Sequence, residues 1–290
     1  MVNKKVGVVG CGTMGSGIAI VMARAGYKTI VQDLDDSKID AGYKRINSFF
    51  EGGVKRNKLT KAQMVDYMGN IQMTTKLQDL QDCDYVVEAV FEDVDIKQSL
   101  FKNLNNICKP ETIFISNTST LSVTAMAHNT GREDKVIGVH FCNPAPLMKL
   151  VEISKALQTS EETYESVVSF SKSIGKEVVT TNDTPGFLVN LFLVPFENDC
   201  VRALEQGLGT PEEIDKVIKT GFGYPMGTFE LLDIVGLDIH YEVSMSLYRQ
   251  LKDARFAPPP LITKMIKAGY LGRKTGRGFY QYEKVGVFGS

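Results

Sequence analysis

A strand-like run, Val6-Gly7-Val8-Val9, passes directly into Gly10-Cys11-Gly12-Thr13-Met14-Gly15 and then into Ile18-Ala19-Ile20-Val21-Met22-Ala23. That order reads as strand, glycine-rich turn and helix. Gly10 permits the tight turn, Gly12 lets the backbone approach a pyrophosphate, and Gly15 lets the helix pack close to the strand. The helix start, at Thr13 and Met14, offers N–H groups and a positive dipole end to phosphates. A second run, Lys28-Thr29-Ile30-Val31-Gln32, ends on Asp33. The acid that binds a ribose is expected about 20 residues beyond the glycines, and Asp33 fits. It is followed by Leu34-Asp35-Asp36, with no arginine. A carboxylate there accepts from a 2′-hydroxyl and repels a 2′-phosphate, so the expected cofactor is NAD, not NADP. By itself the glycine pattern also fits a purely structural turn.

The chain has 290 residues and a formal net charge of −1. The near-neutral balance argues against general nucleic-acid binding, which needs a positive footprint. Five cysteines are dispersed without a C-x-x-C pair, and three histidines show no metal-ligand spacing. No apolar signal core follows Met1, and no run reaches membrane-spanning length. A soluble cytoplasmic protein is expected.

Beyond Asp33, residues 37–68 read as an inserted helical hairpin. Ile39, Tyr43, Ile46 and Phe50 keep helical spacing, Gly52-Gly53 is expected to end the first piece, and Thr60 is a candidate N-cap for the second. Its tip, Lys55-Arg56-Asn57-Lys58, is basic. Strand signals then resume at 71–73, 85–90, 112–116, 135–140, 150–153 and 177–180, with a helix predicted over 95–108. Strands alternating with helices predict an α/β domain with a Rossmann-type doubly wound sheet over residues 1–185. From Thr181-Asn182-Asp183-Thr184-Pro185-Gly186 onward, strand signals fade. An all-α C-terminal domain is expected over 186–290. Its first helix, Phe187 to Gln206, is apolar on nearly all sides and must be buried within a domain or between subunits.

His140 closes a predicted strand, at the sheet edge where open α/β sheets bind ligands. Glu152, on the next strand, could orient and charge-stabilise its imidazole as an acid/base pair. The competing reading is a structural histidine beside a surface glutamate. Ser116-Asn117-Thr118-Ser119-Thr120 ends on the same edge and fits either a substrate contact or a helix N-cap. Asn190 is an amide inside an apolar run, so it should face a ligand or a backbone group. His128 and His240 read as structural.

Six motifs occur in order: Gly10-x-Gly12-x-x-Gly15, Glu88-Ala89-Val90, Ser116-Asn117-Thr118-Ser119, His140-Phe141-x-Asn143-Pro144, Pro185-Gly186-Phe187-x-x-Asn190 and Gly272-Arg273-Lys274-Thr275-Gly276-x-Gly278-Phe279-Tyr280. Together they resemble the L-3-hydroxyacyl-CoA dehydrogenase family over essentially the whole chain. The resemblance implies oxidation of a short acyl-CoA substrate, 3-hydroxybutyryl-CoA, to acetoacetyl-CoA with NAD, and the reverse. It implies His140 as the acid/base with Glu152 as partner, and Ser119 and Asn190 holding the substrate oxygen and the histidine in line. Glu92, Lys97, Ser119, Asn143 and Lys274 occupy NAD-contact positions in the family. Lys55 and Arg56 would meet the coenzyme A phosphates; otherwise the tip is a solvated turn. The resemblance and the apolar second domain both point to a homodimer or higher homo-oligomer. Two departures stand out. Leu191 replaces the usual arginine after Asn190, and Gly52 aligns with a CoA-binding lysine. Two alternatives complete the picture. One is a related two-domain dehydrogenase of a free small hydroxy acid, against which the His140/Glu152 spacing and basic hairpin speak. The other is a non-catalytic dinucleotide-binding protein.

Overall fold

A computed structural model describes residues 4–283. The chain divides into two compact units between Phe187 and Leu188. The first opens with β1 (Lys5–Val9), α1 (Thr13–Arg24) and β2 (Lys28–Gln32). The inserted hairpin follows as α2 (Asp36–Lys55) and α3 (Lys61–Met68), leading to β3 (Ile71–Thr74). Then come β4 (Tyr85–Glu88), α4 (Val94–Ile107), β5 (Ile113–Ser116) and the short α5 (Val123–Ala127). β6 (Val136–Phe141), β7 (Leu150–Lys155), α6 (Glu161–Ser173) and β8 (Glu177–Thr181) complete the unit.

These strands form one eight-stranded sheet in the order β3-β2-β1-β4-β5-β6-β7-β8. The chain starts at β1, works outward to β3, then crosses to β4. The topological switch therefore lies between β1 and β4, where such sheets bind ligands beyond their strand ends. The strands read as continuous apolar runs because most are covered on both faces. Val6, Val8, Val87, Ile115, Ile137 and Val139 are at most 1% exposed.

One feature departs from a uniformly parallel sheet. β7 runs antiparallel to β6. The connection over residues 142–149 is too short for a parallel crossover, which needs about a dozen residues or more. Antiparallel register then sets His140 directly opposite Glu152.

In the hairpin, Thr60 does cap α3, through a reciprocal capping box with Gln63. Gly52-Gly53 does not end the first piece: α2 continues to Lys55. A Cβ at Gly53 would lie 2.5 Å from Leu59 Cδ2, so the residue permits close packing of the returning chain.

The second unit is all helical among its described residues apart from isolated bridges: α7 (Val189–Glu205), α8 (Pro211–Lys216) running into a wide turn at Val217–Gly221, α9 (Thr228–Val235), α10 (Leu237–Leu251) and α11 (Pro260–Lys267). The first helix begins at Val189, not Phe187. Phe187 has a left-handed φ of 50°, which an aromatic residue rarely adopts and which cannot continue a helix. Nor is this helix buried throughout: Phe192 is 70% exposed, whereas Val194 and Val201 sit in the core. The Gly272–Tyr280 motif is shaped by buried Asp233, whose carboxylate accepts from the Phe279 and Tyr280 amides at 3.0 and 2.9 Å.

Candidate active site

The glycine loop is built as its sequence requires. Gly10 has φ +92°, and a Cβ there would lie 2.6 Å from the Ala89 carbonyl oxygen. A Cβ at Gly15 would overlap the Gly10 carbonyl oxygen. By contrast, a Cβ at Gly12 would meet nothing within 4 Å. That open side adjoins the start of α1, where Thr13 and Met14 begin the first turn and its N–H groups lack intrahelical acceptors. The loop therefore fits a dinucleotide pyrophosphate. Asp33 is tied to the same loop: its Oδ2 accepts from Cys11 N at 2.8 Å and from Cys11 Sγ at 3.3 Å. Its Oδ1 accepts from Leu34 N at 2.7 Å. Burial and the Asp33 carboxylate push the Cys11 thiol up to about 12, so it stays protonated and donates.

Past the switch point, β4, β5 and β6 present a polar rim. Lys97 is 1% exposed and pairs with Glu88 at 3.1 Å and Glu92 at 2.7 Å. Burial works against its charge, but the two carboxylates outweigh it and raise the lysine above its ordinary value. Burial likewise pushes Glu92 up; Lys97 and the surrounding donors prevail and hold it below the usual range. Glu92 Oε1 accepts from Thr118 Oγ1 at 2.6 Å and from the Ser119 and Thr120 amides at 2.8 and 3.1 Å. The Ser119 loop is thus anchored by Glu92. Thr118 also accepts from Leu121 N at 2.9 Å, and the cap of α5 is Ser122. The helix cap thus falls on Ser122, outside the run 116–120, whose Thr118 instead makes a local turn, while Ser119 stays half-buried at the rim.

His140 and Glu152 are 7% and 1% exposed, with Nδ1 to Oε2 at 2.8 Å. Glu152 is therefore a buried partner, not a surface residue. The bond takes Nδ1 and leaves Nε2 as the other nitrogen for proton exchange. Phe187 packs against the imidazole, with ring centroids 5.8 Å apart. Phe187 and the buried Asn117 were not singled out by the sequence reading. Asn117 Oδ1 accepts from Phe141 N at 3.0 Å and so links the ends of β5 and β6. The Pro-Gly-Phe motif was the available signal for Phe187, and the Ser116-Asn117-Thr118-Ser119 motif that for Asn117.

Asn143 is exposed, three residues beyond His140 on the same edge. Lys55 and Arg56 lie exposed at the end of α2. Two predicted residues belong to the second unit. Asn190 is in the first turn of α7, and Lys274 Nζ donates to Asp238 Oδ2 at 2.6 Å.

Comparison with known proteins settles the family. Residues 5–184 match the family model described as 3-hydroxyacyl-CoA dehydrogenase, NAD binding domain. Residues 186–282 match that of the 3-hydroxyacyl-CoA dehydrogenase C-terminal domain. The chain belongs to the 3-hydroxyacyl-CoA dehydrogenase family. Among similar members is a probable 3-hydroxybutyryl-CoA dehydrogenase of Deinococcus radiodurans, 43% identical over 96% of this chain and 100% of that protein. The mitochondrial hydroxyacyl-coenzyme A dehydrogenase of Sus scrofa is 40% identical over 97% of this chain and 91% of its own. The solved (S)-3-hydroxybutyryl-CoA dehydrogenase of Ralstonia eutropha superposes with a TM-score of 0.89 at 40% identity, over 97% of this chain and 99% of that one. As a 3-hydroxyacyl-CoA dehydrogenase, the chain is an NAD-dependent oxidoreductase with a Rossmann domain and a helical C-terminal domain. No helix among the described residues is long and apolar enough to cross a membrane.

Proposed function

We propose that this enzyme interconverts (S)-3-hydroxybutyryl-CoA and acetoacetyl-CoA, with His140 as the acid/base. The observation that carries the reading is the buried His140–Glu152 pair, 2.8 Å apart, on the ligand-binding edge of a sheet that also carries a dinucleotide loop. Held by the glycine loop, NAD would supply the hydride acceptor for C3 in the oxidative direction. His140 takes the hydroxyl proton on Nε2, and Glu152 stabilises the imidazolium that forms. In the reverse direction the imidazolium returns that proton to the ketone oxygen. Glu92 fixes the loop that presents Ser119, which holds the substrate oxygen; Asn190 is the second such residue. Asp33 accepts from the adenosine ribose, and the glycine loop with Thr13 and Met14 cradles the pyrophosphate. Glu92, Lys97, Asn143 and Lys274 complete the cofactor contacts. Lys97 does so from a buried ion-paired position. The exposed Lys55 and Arg56 attract the phosphates of coenzyme A.

The enzyme works as a homodimer in the cytoplasm. Exposed apolar groups in the second unit support the dimer. Phe222 and Tyr224 are 61% and 49% exposed, and their rings meet edge to face. Five free cysteines fit a reducing compartment. The decisive assay follows NADH with acetoacetyl-CoA, a longer 3-ketoacyl-CoA and free acetoacetate side by side. Highest kcat/KM is expected for acetoacetyl-CoA. A preference for the free acid would overturn the reading, and a monomer at micromolar concentration would overturn the dimer.

A further inference from the structure

Lys176 is a buried charge that the acid/base scheme does not use. It lies in the turn between α6 and β8, and is 8% exposed. Among the described residues no carboxylate pairs with it. Its Nζ instead donates to the carbonyl oxygens of Ala145 and Met148, each at 2.6 Å. Both belong to one helix-like turn, in which the Leu147 and Met148 amides donate to Pro144 O at 3.0 and 3.1 Å. A turn of this kind ends, like a helix C-terminus, in carbonyls with no internal donor, and a cation there is favourable.

The turn is also held by α1, the helix that the glycine loop opens. Arg24 reaches Pro146 O at 3.5 Å, and a Cβ at Gly17 would come within 3.2 Å of Pro146 Cδ. Apolar burial seats the turn at Ala145, which is 2% exposed, but not at Leu147 and Met148, which are 66% and 43% exposed. At that outer end the polar latch holds the Met148 carbonyl. Burial and the nearby Arg24 push the Lys176 ammonium below its ordinary value, a cost offset by the hydrogen bonds it donates to two carbonyls and by the Phe141 ring 5.9 Å away. The latched turn is the connection between β6 and β7, the two strands that set His140 against Glu152, and it carries Asn143 at its entry.

We propose that Lys176 is a positioning residue for the dehydrogenase reaction: it latches the 144–148 turn and thereby holds Asn143 for cofactor binding and the β6–β7 connection for catalysis. This rests on the function proposed above. Its test compares Lys176→Met, which keeps length without donors, with Lys176→Arg, which keeps them. NADH affinity is measured by fluorescence titration, turnover with acetoacetyl-CoA, and exchange of the Leu147 and Met148 amides by mass spectrometry or NMR. In Lys176→Met the NADH Kd should rise about tenfold, as expected for losing hydrogen bonds to a charged group. The KM for acetoacetyl-CoA should stay within about twofold, since that contact is not on the turn. Both amides should exchange faster, and Lys176→Arg should recover most of the NADH affinity. A lowered melting temperature with unchanged NADH Kd would mean a structural role only, and overturns the proposal. If Lys176→Met does not fold, Lys176→Gln takes its place, and NADH Kd unchanged in both Gln and Arg variants overturns it equally. A wild-type enzyme that binds NADH but turns over no acyl-CoA would sink the substrate assignment instead, while the binding and exchange measurements still decide the latch.

Discussion

Glu152→Gln is the sharpest probe of the acid/base pair. Glutamine keeps an acceptor at the position of Oε2, 2.8 Å from His140 Nδ1, so the ring keeps its orientation while the negative charge disappears. Unit charges about 4 Å apart interact by about 4 kcal/mol at an effective dielectric of about 20. Both groups are nearly inaccessible to solvent, at 7% and 1% exposure, so screening by water does little to reduce this. If roughly half of the imidazolium charge has developed in the oxidative transition state, the loss is about 2 kcal/mol, or about 30-fold in kcat. The KM for (S)-3-hydroxybutyryl-CoA should change by less than about threefold, because the lost interaction grows only as the proton moves. Glu152→Ala also frees the ring, and should cost a further factor of about ten. The assay is NADH formation from (S)-3-hydroxybutyryl-CoA, with melting temperatures to confirm folding. A Glu152→Gln enzyme with kcat within about threefold of wild type would refute the reasoning: the carboxylate would then merely hold the strands together.

Gly15→Ala should abolish NADH binding and destabilise the protein by about 3 kcal/mol or more, since the new methyl meets the Gly10 carbonyl; urea unfolding and NADH titration check this. Native protein treated with iodoacetamide should be modified first at the partly exposed Cys142. Cys11 and Cys83, whose thiols burial pushes up to about 12, should remain unmodified until unfolding, as peptide mapping would reveal. Replacing Lys55 and Arg56 together by alanine should raise the KM for acetoacetyl-CoA about fivefold at low salt and less at high salt, leaving the NADH Kd unchanged. An equal rise for both ligands would argue against a coenzyme A role for the hairpin tip.

Much of this protein is determined locally and is therefore present in its sequence. The glycine loop is one such feature, because its requirements act within a few residues: Gly10 needs a left-handed φ, and Gly15 must clear the Gly10 carbonyl. The strand runs and the hairpin are others, since hydrophobic periodicity and the Thr60 cap are near-neighbour effects. Asp33 belongs with them through its fixed spacing from the glycines.

Other features depend on residues brought together from afar. The α2 extension through Gly52-Gly53 follows from close packing by Leu59, which overrides the weak helix propensity of glycine. The left-handed Phe187 delays α7, a backbone state that hydrophobic pattern does not encode. His140 and Glu152 were legible as a possible pair, but whether Glu152 was buried or on the surface rested on antiparallel strand register and on the layers above it. Least legible was the polar scaffold. Glu92 anchoring the Ser119 loop, Asn117 joining two strand ends and Lys176 capping the 144–148 turn each satisfy main-chain groups far away in sequence. Sequence patterning reports which side chains avoid water. Only the folded chain decides which main-chain donors and acceptors are left for the polar ones to meet.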